Sequence, residues 1–272
     1  MENVREPYVA GAFYPDDEES LLSVIGPYIE NKPEDFDYKK IIGVIVPHAG
    51  YTYSGKTAGY AYNIIKHYSK KRFLIIGPNH YGYPFYPAIY PDGFWNTPLG
   101  NAVIDSSFSD KLVTKSDIIK DDKEAHSIEH SIEVQIPFLQ YLFNNNFKFT
   151  PIILGKQNIG IARDLSETIL SINDKPFIII SSDMNHYLPA NRNDENDNIL
   201  INDIINLKVT KFYEDIEKYH ITACGYGAIA TLMLITKNMK GKIRLLNHSN
   251  SGDANNDYKR VVGYSSMVAY IE

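Results

Sequence analysis

The chain has 272 residues and a formal net charge of −6, with 22% charged and 44% hydrophobic side chains. That length suits one large domain or two smaller ones, and the balance is that of an ordinary globular protein. The acidic sum argues against a nucleic-acid binder, no apolar run is long enough to span a bilayer, and the single cysteine excludes an internal disulfide.

The opening MENVREPY lacks the apolar core of a signal peptide, and with the lone cysteine it predicts a reducing, cytoplasmic setting. Asp16-Asp17-Glu18-Glu19 reads as the acidic start of a helix continuing into LLSVIGPYIE. Ile41–Val46 is a buried strand, followed by a Gly/Tyr loop and a helix over residues 54–67. The basic triplet Lys70-Lys71-Arg72 reads as a solvated helix terminus. A strand at 73–76 leads into 78–98, a Pro/Gly/Tyr-rich stretch of loop and short strands. A helix over 131–143 precedes a strand at 149–154, a helix at 159–172 and a strand at Phe177–Ser181. Residues 191–198 are the most linker-like part of the chain, short enough for a surface loop. Helical patterns cover 199–219 and 223–236, and strands at 243–247 and Val261–Tyr270 close the sequence. Strands alternate with helices throughout and no repeat is visible. The expectation is one α/β domain over 1–272, with a central mostly parallel or mixed sheet flanked by helices.

Three of the apolar runs deliver a histidine: IIGVIVPHAG ends in His48, RFLIIGPNH in His80, and FIIISSDMNH in Asp183 and His186. Ligands of open α/β sheets bind outside the carboxyl ends of the strands, so these groups can converge although they lie far apart in sequence. Pro47 and Gly50 force a sharp exit that fixes His48, and His80 in GPNH repeats the arrangement. Cys224, in TACGYGA, falls at the predicted start of a helix, where N–H groups and the dipole favour a thiolate. A lone cysteine is also commonly a small buried apolar residue. Together, His48, His80 and Cys224 form an N,N,S donor set with open coordination positions, suited to iron, copper or zinc rather than magnesium or calcium. Asp183 and His186 suggest a general acid/base with an orienting carboxylate, or further ligands; Asp183 capping a turn is the plainer alternative.

HSIEHSIEVQIP spaces His126 and His130, and Glu129 and Glu133, four apart, so that on a helix each pair shares a face. It is not H-E-x-x-H; it reads either as a salt-bridged helix start or as a contributor to the cleft. Gly50 to Thr57 satisfies G-x-x-x-x-G-K-[ST] after a strand. Tyr51 and Tyr53 are too bulky for a loop that wraps phosphates, so nucleotide binding is rejected. His67 and His220 sit near helix C-termini and His248 at a strand exit, with no chemistry assigned. The 21 tyrosines read as half-buried packing with polar tips, with pocket lining as the alternative.

Read as whole segments, REPYVAGAFYPDD, VPHAGYTYSGKTAGYAY, IIGPNHYGY, DGFWNTPLG, EHSIEVQIPFLQ, SSDMNHY, ACGYGAIATLM and SGD followed by VVGYSSMVAY resemble the prokaryotic branch of the Memo family (mediator of cell motility) almost end to end. The resemblance implies a fold similar to the class III extradiol (LigB-like) dioxygenases, which hold non-haem iron at strand ends. It implies that His48, His80 and Cys224 match the family's metal-binding residues and that Asp183, His186 and His130 share their cleft. Those dioxygenases use a carboxylate as third ligand where this chain offers Cys224. Eukaryotic members of that family are signalling proteins with metal-linked redox activity that bind copper or iron, and for a prokaryotic member the resemblance implies association with an AMMECR-type domain and a radical SAM protein (the AmmeMemoRadiSam set). The resulting expectation is a metal-dependent oxidoreductase-like protein of unknown substrate. The alternative is a non-catalytic module that uses the same cleft for a peptide, small molecule or partner.

Overall fold

β-branched residues crowd the inner segments of the chain, and these pair into one sheet. In chain order the computed structural model, which describes residues 3–30 and 41–271, runs β1 (Val4–Arg5), α1 (Glu18–Glu30), β2 (Ile41–Val46), α2 (Tyr51–Ile65), β3 (Arg72–Pro78), β4 (Pro87–Ile89), β5 (Phe94–Thr97), β6 (Gly100–Ile104), α3 (Ser106–Lys115) and β7 (Lys120–Asp121). Two 3₁₀ turns, Glu124–His126 and Glu133–Gln135, lead into α4 (Ile136–Phe143), β8 (Lys148–Leu154), α5 (Ile159–Ser171), β9 (Phe177–Ser181) and β10 (His186–Leu188). Then come α6 (Ala190–Ile205), α7 (Val209–Tyr219), α8 (Tyr226–Asn238), β11 (Lys242–Asn250), α9 (Gly252–Asn255) and β12 (Val261–Tyr270).

The strands form one mixed sheet in the order β1-β5-β6-β8-β3-β9-β2-β12-β10; β11 pairs with β12, and β4 pairs with β7 and β8. The centre, β6 through β2, is parallel, and β12 runs antiparallel to β2 and β11. Alternate side chains feed two cores. Phe73, Ile75, Phe149, Ile153, Phe177 and Ile179 pack under α1, α2 and α4. Their neighbours Leu74, Ile76, Ile152, Leu154, Ile178 and Ile180 pack under α3, α5, α6 and α8 on the other face. Both faces are covered, so these strands are continuously apolar rather than alternating.

The chain crosses from β2 to β3 in one direction along the sheet and from β8 to β9 in the other. Right-handed crossovers then require α2 and α5 on opposite faces, and a crevice opens where the direction reverses. That crevice lies beyond β2, β9 and β3. Gly43 of β2 makes the tight pairing possible, since a Cβ there would stand 2.3 Å from the Ile178 carbonyl oxygen.

Several expected boundaries shift for physical reasons. Residues 191–198 are helix, not linker: Asn193, Asn196 and Asp197 are buried, and tertiary hydrogen bonds outweigh their low helix propensity. The helical pattern over 199–219 breaks between α6 and α7, where Leu207 takes a left-handed conformation (φ 53°). The helix expected from 131 starts at Ile136, with Pro137 in its first turn, and what precedes it is 3₁₀ and turn. His126, His130, Glu129 and Glu133 therefore do not form two helical faces. Residues 51–57 lie in α2 rather than in a loop, with Tyr51 buried and its hydroxyl donating to the Val134 carbonyl (2.7 Å). A phosphate-wrapping loop has no place there.

The N-terminal segment straps the stretch before α4. Glu133 accepts the N–H groups of Tyr8 (2.9 Å) and Val9 (2.9 Å) and the Tyr14 hydroxyl (2.7 Å), and it pairs with Arg5 at 2.8 Å. Arg5 also donates to the carbonyls of His126 and Glu129 (2.8 Å each) and lies over the Trp95 ring. Both partners of the ion pair are buried, so removing one strands the other. Glu133→Ala is expected to cost about 3 kcal/mol and lower the melting temperature by roughly 6–12 °C. A thermal melt within a degree or two of the parent would show that the strap contributes little.

Candidate metal centre

Three adjacent parallel strands end at the same level, and the residue two positions past β2 is His48, two past β3 is His80, and two past β9 is Asp183. The fourth contributor arrives from the turn before α8. Gly225 presses against the end of β9, where a Cβ would meet the Ser181 carbonyl oxygen at 2.8 Å, and this sets Cys224 over the strand ends. One donor atom each from His48, His80 and Cys224 lie within 4.8 Å of one another, and so do those of His80, Glu129 and His130. Cys224 Sγ stands 3.1 Å from His48 Nε2. His130 stacks on His80 with ring centroids 4.5 Å apart, and its ring lies 5.5 Å from that of His48.

The hydrogen bonds fix which imidazole nitrogen faces the cleft. Ser181 Oγ donates its single proton to the Ser131 carbonyl (2.6 Å) and accepts from Gln135 Nε2 (2.8 Å). Gln135 Nε2 also reaches the Pro47 carbonyl, which can only accept. The remaining contact of Ser181, with His48 Nδ1 at 2.9 Å, must therefore be an N–H donated by the histidine. His48 Nε2 is left as a bare lone pair beside Cys224. His80 is anchored through the same nitrogen by another partner: Glu129 accepts its backbone N–H (2.7 Å) and its Nδ1–H (2.9 Å), and also the Ser131 N–H (2.7 Å). Anchoring of this kind raises ligand basicity and fixes ring orientation.

Burial dominates the electrostatics of the cleft. Burial, with His80, His130 and His186 nearby, holds His48 well below the usual histidine range. Burial also pulls His130 down, to about 4. Burial pulls His80 down as well, but the bonded Glu129 carboxylate outweighs it and leaves His80 above its ordinary value. Burial would raise Glu129, yet its bonds to His80 and the charges of His80 and His130 bring it to about 2, so it is ionised. Burial and then the Asp183 charge push the Cys224 thiol up. This corrects the sequence expectation of a helix-start thiolate. Cys224 lies ahead of the Gly225 cap rather than within the first turn, and desolvation exceeds any dipole effect. A bound divalent ion supplies the charge that makes the thiolate favourable. Two imidazoles and one sulfur fit a borderline or soft transition metal.

Asp183 lies in the cleft, buried, and burial raises it above the usual carboxylate range. Its carboxylate accepts the His48 backbone N–H at 2.7 Å, as in the turn-capping alternative, and its own N–H points at Cys224 Sγ (3.2 Å). Among the described residues it makes no hydrogen bond to His186. That histidine is oriented by Thr222, which accepts its N–H at Oγ1 and its Nδ1 at the carbonyl (2.8 Å each). His126 does not reach the cleft. It is packed against Tyr90 and Trp95, its Nε2 lies 3.1 Å from the Ala88 carbonyl, and burial lowers it to about 3. Glu133 is likewise committed to the N-terminal strap. His248 lies within β11 and pairs with buried Asp197 at 2.8 Å. The tyrosines divide: Tyr14, Tyr51 and Tyr62 are buried and bonded, whereas Tyr8, Tyr53, Tyr81 and Tyr187 stand exposed.

The anchoring partners Ser181, Gln135 and Thr222 are what the sequence reading missed, and Glu129 was read only as a possible cleft residue. Ser181 and Glu129 carried a faint signal, one as the last residue of a buried apolar strand and the other as an acid flanked by His126 and His130.

With the site in hand, comparison with known proteins is informative. The profile of the Memo-like protein family matches residues 5–268. A MEMO1 family protein of Thermoplasma volcanium is 50% identical over 267 residues, covering 98% of both chains. One from Thermoplasma acidophilum is 49% identical over 98% of this chain and 99% of its own. One from Methanobrevibacter smithii is 42% identical over 97% of this chain and 99% of its own.

Ser181→Ala, which removes the acceptor of His48 Nδ1–H, and Glu129→Gln, which weakens the anchor of His80, are each expected to lower zinc or iron(II) affinity about 10–100-fold. Competition titration against a chelator measures this. Unchanged affinity in both variants would exclude the proposed anchoring.

Proposed function

The chain belongs to the Memo family, and from that premise we propose that it is a metal-dependent oxidoreductase-like protein whose His48, His80 and Cys224 hold one redox-active ion. The observation that carries this reading is the convergence of donor atoms of His48, His80 and Cys224 at adjacent strand ends, with Nδ1 of both histidines engaged by anchoring partners. Iron or copper is the resident ion under this reading, with zinc as the redox-inert alternative. Such an ion supplies Lewis acidity and one-electron chemistry when bound. Around it, His186 holds or moves a proton at Nε2, since Nδ1 is occupied by the Thr222 carbonyl. His130, neutral and stacked on His80, lines the pocket and accepts a proton readily only below neutral pH. Asp183 keeps the His48 turn in place through the backbone.

A LigB-like ring-cleaving reaction draws support from histidines at strand ends. Cys224, in place of a carboxylate, donates more charge to the ion and alters its redox behaviour, so the reaction class stays broader than ring cleavage. A cytoplasmic setting follows from the single, unpaired cysteine, and no helix among the described residues is long and apolar enough to cross a membrane. An AMMECR-type domain and a radical SAM protein are the proposed partners, and an unidentified small molecule or peptide the cleft's ligand.

A second reading has one observation in its favour. His130 forms a neighbouring donor group with His80 and Glu129, and were it to turn to the ion held by His48, His80 and Cys224, four donors would close the site. The protein would then be a binding or signalling module with a structural ion.

Protein purified from cells without added metal is expected to contain iron or copper near one equivalent by elemental analysis. Cys224→Ala is expected to lose most of it. No tight transition-metal binding, or binding unaffected by Cys224→Ala, would remove the basis of the first reading. A stoichiometric zinc that resists chelators and is lost in His130→Ala would favour the second.

A further inference from the structure

At the opposite end of the same strands lies a feature that the cleft does not use. Lys70, Lys71 and Arg72 do not end a helix; they form the turn entering β3, and Lys148 opens β8 beside it. Lys111 of α3 completes the group. These five cations surround a pocket of about 580 Å³. Two carboxylates answer them. Asp174 takes Lys70 (2.7 Å) and Arg72 (2.9 Å), and Asp105 takes Arg72 (2.7 Å) while capping α3. Among the described residues, Lys71, Lys111 and Lys148 pair with no carboxylate; Lys71 instead lies over the Phe143 ring. The pocket thus holds a surplus of three positive charges in a chain whose net charge is −6.

The local backbone holds this arrangement. Lys71 takes a left-handed conformation (φ 50°) and its carbonyl accepts the Lys148 N–H at 3.0 Å, so the two lysines are tied across neighbouring strands. Asn144 and Asn145 are also left-handed (φ 47° and 59°), and Asn145 is pinned by Gln140 and by the Leu99 carbonyl. Like charges lining one pocket repel one another where they approach within a Debye length of about 8 Å, and a bound multivalent anion relieves that repulsion.

We propose that the pocket between the starts of β3 and β8 and the first turns of α3 binds a phosphate-bearing small molecule through Lys71, Lys111 and Lys148. Lysine ammonium groups are compact point charges suited to phosphate oxygens from several directions. Concavity favours a small ligand over an extended chain. The seven residues of β3 separate the pocket from the metal cleft by about 20 Å at the usual rise per residue. The ligand therefore occupies a second site, and its binding does not depend on any metal at the first.

Inorganic tripolyphosphate is the probe, titrated calorimetrically into the full chain at about 0.15 M salt, where non-specific attraction is screened. One equivalent is expected to bind, and the double variant Lys111→Gln/Lys148→Gln is expected to weaken it at least tenfold without changing the melting temperature of the free protein. The control Lys120→Gln/Lys156→Gln, with the same change in net charge, is expected to bind as the parent does. No binding, or equal weakening in both double variants, overturns the proposal. Tighter binding of short polyglutamate than of tripolyphosphate, lost in the pocket variant, overturns it in favour of an acidic peptide.

Discussion

The insertion of β9 between β2 and β3, parallel to both, is the constraint on which the rest of the site depends. Pairing of Val46 with Ser181 and of Ile76 with Ile180 fixes the level at which the three strands finish. Every cleft residue is placed relative to that level. A slip of one residue would turn Ile178 and Ile180 into the other core and point Ser181 away from His48. The register is held by volume as much as by hydrogen bonds, since Gly43 leaves only the space that the Ile178 carbonyl fills.

The cleft histidines are made different by their anchors. His48 donates to a hydroxyl, His80 to a buried ionised carboxylate and His186 to a backbone carbonyl. A carboxylate partner raises the electron density at the opposite nitrogen more than a hydroxyl does, so the Nε2 atoms of His80 and His48 differ as potential ligands. Glu129 also brings one negative charge within reach of His80 and His130 while remaining 1% exposed. With the Cys224 thiolate it would balance a divalent ion, which lessens the cost of placing that ion under protein.

The inner strands were legible because burial on both faces writes itself as unbroken apolar runs; Ile41–Val46, Phe177–Ser181 and Val261–Tyr270 coincide with β2, β9 and β12. The strand-end histidines were legible for the same reason, since a run that stops abruptly marks the carboxyl edge of the sheet. The beginning of α6 was not. Its asparagines and Asp197 look like linker until the partners that bury them are known: Asn185, in the turn after β9, and the distant His248 of β11. In the HSIEHSIE stretch the helical periodicity is one that nothing in the fold uses: Glu133 serves the N-terminal strap, His126 the core, and Glu129 and His130 the cleft. Cys224 was singled out by type and lies beside His48 and His80, but its protonation depends on burial and on Asp183, neither of which local spacing reveals.

The wide spacing of the donors along the chain bears on how the protein comes into being. His48 and Cys224 are 176 residues apart, and Arg5 must wait for Glu133 before it can be neutralised. During synthesis the sheet centre lacks β9 until most of the chain has left the ribosome, and the last donor follows later still. An ion therefore cannot nucleate this fold as it does a zinc finger, whose ligands sit on a few consecutive turns. On the proposed reading, metal loading would be a late event, performed on an already shaped apoprotein whose histidines are hydrogen-bonded as described above.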